Sequence, residues 1–106
     1  MKIPTSEVIK NLKGKPYTNE NEDLTVGLAI AEVLGVDATG GKMKMYILAR
    51  RCMEESNVEV DAADFALIKK AVEESKAYGG NNIILGSVLV VLDGVREEKE
   101  AKEAKE

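Results

Sequence analysis

The sequence predicts a mostly α domain, a compact bundle of three to four short helices, with room for a small N-terminal β-hairpin or strand pair from residues 1–18 and 58–60. Three observations carry that expectation. Apolar residues recur at spacings of three and four in the windows 26–34, 45–53 and 65–75, as one-sided helices require. Cap-forming residues precede two of these windows (Thr25, Asp61), and glycines follow them (Gly35, Gly79, Gly80). With 106 residues and 44% hydrophobic side chains, the chain suffices for one modest core. Residues 1–94 are expected to form a single globular domain, and 95–106 a charged, solvated tail.

From the start of the chain, Ser6 to Leu12 reads as a helical turn capped by Ser6, with a strand followed by a turn as the alternative; Lys13-Gly14-Lys15-Pro16 ends either. Thr18 to Asp23 is a polar loop, since it offers nothing to bury. The first full helix is expected at 25–35, presenting Val26, Ala29, Ile30, Val33 and Leu34 as one stripe. The second, from Lys42 to Glu55, aligns Met45, Leu48, Ala49, Cys52 and Met53, and Met43, Tyr46 and Ile47 widen that stripe into an arc. A helix apolar over so much of its circumference is expected at the centre of the bundle. Ser56 to Val60 alternates and suits a short strand. Asp61 caps the third helix, which runs from Ala62 through Phe65, Ile68, Ala71, Val72 and Ser75 towards Tyr78. Ile83 to Leu92, capped by Asn81-Asn82, suits a strand as well as a buried helix; the helical spacing of Ile84, Leu85, Val88, Leu89 and Leu92 favours helix. Gly86 and Ser87 then mark a place for a neighbouring backbone to approach, and Asp93-Gly94 a stop before the helix-prone tail.

Composition excludes much chemistry. Without histidine the chain lacks the commonest general base near neutral pH, and a single cysteine gives neither an intrachain disulfide nor a thiolate cluster. Cys52 sits in an apolar stretch with no histidine to activate it, so a reduced, buried thiol is expected. Gly35 to Lys42 looks like a phosphate loop but fails at two positions: Val36 stands where the first glycine belongs, and Met43 where the hydroxyl for magnesium belongs. The oxygens of Asn19, Glu20, Asn21, Glu22 and Asp23 lack the calcium-loop spacing. No catalytic residue, metal site or cofactor is expected, and the protein is read as not an enzyme.

The charge is unevenly placed. Residues 1–15 hold four lysines (Lys2, Lys10, Lys13, Lys15) against Glu7, and the segment 38–53 holds Lys42, Lys44, Arg50 and Arg51 with no acid. Acid-rich segments lie on both sides of that second block, so pairing within the fold competes with any polyanion, and the net charge of −4 weakens attraction to nucleic acid further. The longest apolar run, Ile83 to Leu92, falls far short of the ~20 residues of a membrane span. The first seven residues show no apolar signal core, and a cytoplasmic location is expected.

Three stretches stand out: Leu12-Lys13-Gly14-Lys15-Pro16 followed by Leu24-Thr25-Val26-Gly27-Leu28-Ala29, then Asp61-Ala62-Ala63-Asp64-Phe65-Ala66-Leu67-Ile68-Lys69-Lys70, and Leu92-Asp93-Gly94. Together they resemble small uncharacterised proteins of tailed phages and prophages. The resemblance covers residues 12–94 and supplies no catalytic residues. It implies a viral or mobile-element origin, a host-cytoplasmic setting and a role through binding. The expected function is a non-enzymatic protein-interaction module, an assembly or regulatory partner, using apolar surface of the second helix and of the Ile83 to Leu92 element that the core leaves over. Methionine at helical spacing more often fills a core, and that is the first reading of Met43, Met45 and Met53 with Tyr46 and Ile47; as the second, Met43, Tyr46, Ile47, Arg50 and Arg51 are the candidate partner-binding residues, for a protein partner or self-association. The alternative is a small nucleic-acid-binding regulator using the basic helix 42–51.

Overall fold

The computed structural model describes residues 1–19, 21–36 and 41–105, with side chains described for all of these but 19 and 96–105. Among the described residues the fold is mostly α, as expected, with four helices, the expected N-terminal strand pair and a second antiparallel pair that the sequence reading did not offer.

The central helix is α1, Val26–Val36. It buries Val26, Gly27, Ala29, Ile30, Ala31, Val33 and Leu34, because its small residues let neighbours approach on several sides. It packs most extensively on α2 (Lys42–Glu54) and also meets α3 (Ala62–Glu74) and α4 (Asn82–Lys105). The expectation that the second helix is central is therefore corrected. Helix α2 buries only Met45, Leu48 and Cys52, one stripe facing α1 with Ala49 half-buried beside it, while Met43, Tyr46, Ile47 and Met53 face solvent.

Close backbone approach occurs at Gly27. A Cβ there would lie 2.1 Å from the Cys52 carbonyl oxygen and 2.8 Å from the Thr5 Cβ, so only glycine lets the first turn of α1 reach the end of α2. Buried Thr5 adds a hydrogen bond from its Oγ1 to the Glu55 carbonyl. The sequence suggested such an approach at Gly86, but a Cβ there would meet nothing within 4 Å.

The N-terminal strand pair is present. Strand β1 (Lys2–Ile3) lies antiparallel to β4 (Val58–Glu59), with Ile3 opposite Val58. Ser6 to Leu12 takes the extended alternative rather than the helical turn: Val8 bridges Thr25, and Lys10 bridges Pro16. Two β-branched residues favour that course, and Ile9 is buried by it. Asn11 Oδ1 accepts from the Lys13 and Lys15 N–H groups, closing the turn over Gly14 at φ 83°. The polar loop at 18–23 proves to be a hairpin, β2 (Thr18–Asn19) with β3 (Glu22–Asp23).

Helix α3 starts where Asp61 caps it, its carboxylate accepting the Asp64 N–H at 2.7 Å, and buries Phe65, Ile68 and Val72. It stops at Glu74, short of Tyr78. The chain then turns through Tyr78, Gly79 and Gly80, all at positive φ. Asn81 Oδ1 caps α4 by accepting from Ile83 and Ile84 N–H. Residues 83–92 are helix, settling the open alternative, and the helix runs through Asp93-Gly94 without the expected stop. Its inner side carries Ile84, Leu85, Val88 and Leu92. Among the described residues no helix is long and apolar enough to cross a membrane.

Candidate interaction surface on helix α2

Helix α2 is anchored by one stripe and leaves its opposite side open. Met45, Leu48 and Cys52 recur at three and four and pack into the core, so Met43, Tyr46, Ile47 and Arg50, half a turn away, face outward. Met43 is 78% exposed and Ile47 50%, with Tyr46 and Met53 between these values. The Arg50 guanidinium lies over the Tyr46 ring, its Cζ 5.9 Å from the ring centroid. This joins Tyr46 and Arg50 into one flat element beside Met43 and Ile47.

The basic residues of the same helix are mostly held by the chain's own acids. Arg50 Nη2 and Nε donate to Glu54 Oε1 at 2.8 and 3.1 Å, and this hydrogen bond, with Tyr46 adding to it, raises the guanidinium pKa above its ordinary value. Arg51 Nε reaches Glu55 Oε2 at 3.2 Å, and its Nη2 donates to the Glu59 carbonyl at 2.7 Å, tying the end of α2 to β4. Lys44 Nζ contacts Asp64 Oδ1 at 2.6 Å across to the start of α3, which raises the ammonium pKa. Of the block that the nucleic-acid alternative needs, Lys42 alone has no such partner among the described residues. The geometry thus presents a patch rich in methionine and tyrosine with its charge neutralised nearby, and no aligned row of free cations.

The five residues singled out from sequence fall into two groups. Met43, Tyr46, Ile47 and Arg50 share the outward face, whereas Arg51 turns to the β4 side. Met53, assigned to the buried stripe by spacing, is 60% exposed. Cys52 is buried as expected, and burial pushes its thiol up to about 11. Of the loop resembling a phosphate cradle, Gly35 belongs to α1, Lys42 opens α2, and residues 37–40 lie outside the described residues, as does Glu20 of the acidic loop. Among the described residues no group of three His, Cys, Asp or Glu is disposed to hold a metal.

A second surface uses the Ile83 to Leu92 element that the sequence offered, against a wall that escaped sequence reasoning. A groove runs between residues 7–12 and α4, with Val8, Lys10 and Leu12 on one wall and Ile83, Gly86 and Val90 on the other. The β-branched pair Val8-Ile9 ahead of a Gly-Lys-Pro turn was the available signal. No family model, curated protein or solved structure matches the chain.

Proposed function

We propose that this chain is a non-enzymatic protein-interaction module whose contact surface is the outward face of α2. One observation carries the proposal: Met43, Tyr46 and Ile47 stand exposed together on one helix face of a molecule with a complete core of its own. Exposed large apolar residues grouped in this way mark protein contact surfaces, methionine adapts to a partner's shape, and tyrosine and arginine are enriched where such contacts are strongest. An assembly or regulatory role in the cytoplasm of a phage or prophage host is the setting that the motif resemblance suggests. The pairing of Lys44, Arg50 and Arg51 with acids supports a protein partner over nucleic acid.

The test is sedimentation velocity over a wide concentration range, joined to affinity capture, for wild type and Ile47→Asp. Concentration-dependent association, or a captured protein lost on Ile47→Asp while thermal unfolding is unchanged, is the expected result. A strict monomer with no capture sensitive to Ile47 overturns the proposal. Binding to nucleic acid that weakens steeply with salt overturns it in favour of the basic-helix alternative.

A further inference from the structure

The extended segment 7–11 is paired on one side only. Ile9 donates its N–H to the Leu24 carbonyl at 2.8 Å and accepts from Tyr17 N–H at 3.0 Å, while the Glu7 carbonyl accepts from Val26 and Asn11 N–H reaches Lys15, each at 2.8 Å. Backbone groups alternate sides along a strand, so the N–H and C=O of Val8 and Lys10 point away from this ladder. None of those four groups has a hydrogen bond among the described residues. An unpaired edge of this kind is a template for another extended chain.

The segment carrying that edge is also a wall of the groove, whose volume is about 810 Å³. A second depression of about 450 Å³ continues it past Glu7 and Val90 to Gly94. The α4 wall is kept low. Gly86 and Gly94 sit inside the helix, where glycine is the poorest residue after proline, and a Cβ at either would meet no atom within 4 Å. Helix packing therefore explains neither glycine. Val90, between them on the same face, is 72% exposed, and Leu12 across the groove is 86% exposed.

We infer that this groove receives an extended peptide segment of another protein, apolar at alternate residues and acidic at its ends, which adds to the Val8–Lys10 edge as a strand. The edge supplies donors and acceptors that only an extended backbone can match, and the apolar floor takes every second side chain. Ile83 to Gly94 spans about 17 Å of helix, room for about five extended residues. Acidic ends follow from Lys10 in the wall and Lys2 where the groove continues, with Glu7 the one acid among the lining residues. A second copy of the chain would bring this lysine-rich segment against its twin. The inference goes beyond the α2 proposal and uses none of its residues.

The test is selection from a displayed library of random short peptides on the full chain, followed by amide NMR and hydrogen exchange with the enriched peptide. Expected are sequences alternating apolar residues with Asp or Glu, protection of the Val8 and Lys10 N–H groups, and shifts at Gly86. Gly86→Leu, which extends into open space, should abolish binding with the fold intact, N-methylation of the peptide backbone should do the same, and Lys10→Glu should weaken binding about tenfold. Ile47→Asp should leave it unchanged, which separates this inference from the α2 proposal. No enrichment over Gly86→Leu, equal binding of the N-methylated peptide, or protection confined to α2 overturns it. Self-association through the Val8 edge overturns it in favour of a second copy.

Discussion

Helices α1 and α2 are both rich in apolar residues, yet α1 buries seven of its eleven residues and α2 three of its thirteen. Apolar count does not decide which helix is central. Helix α1 carries Gly27, Ala29 and Ala31, whose small side chains admit neighbours on several sides, whereas α2 carries Lys44, Arg50 and Arg51, whose partners hold its flanks at the surface. The helix with the smaller side chains is enclosed, and the one with the larger keeps an open face.

The contrast can be broken most severely at Gly27. Gly27→Ala should cost about 4 kcal/mol or more, in the exceptional range for a single substitution, because the new Cβ meets backbone rather than a movable side chain; a small shift in the denaturation midpoint would refute the close approach. Ile30→Ala, which empties a fully buried site in α1, should cost about 3 kcal/mol. Ile47→Ala on the open face of α2 should stay within about 0.5 kcal/mol by the same measurement. Gly86→Ala should act with the opposite sign to Gly27→Ala, stabilising by about 0.5–1 kcal/mol, since the added methyl meets only space.

The seam between the two helices gives a pH test. Cys52 titrates at about 11 in the folded protein because burial disfavours the thiolate, and its ordinary value is 9.0. As pH rises through 9 the unfolded chain releases this proton first, so the contribution is complete below pH 9 and is lost progressively towards 11. Wild type should lose stability over that interval relative to Cys52→Ala. The thiol should also resist a thiol reagent at pH 8 until denaturant is added.

Much of this was legible beforehand. Asp61, Asn81 and the three-and-four stripes locate helix starts and inner faces, because capping and periodicity are local properties. Met43, Tyr46 and Ile47 could be offered as spare surface but not told apart from Met53, which spacing put in the buried stripe, since a wide apolar arc fits both a central helix and a peripheral one with a free side. Nor was the course of residues 6–12. Its extended form depends on pairing with Leu24 and Tyr17, contacts that no local preference reveals. Glycines were the hardest to interpret: Gly27 and Gly86 look alike as letters, and only their surroundings show that one is crowded and the other empty.

The meeting of Thr5, Gly27 and Glu55 bears on the order in which the molecule assembles. It fastens three stretches separated by tens of residues, so the chain must close long loops before this junction can form. Hairpin and helices can form early from their own sequences, and the junction is expected to close after them. Weakening it would open the finished protein faster while leaving the initial rate of collapse nearly untouched.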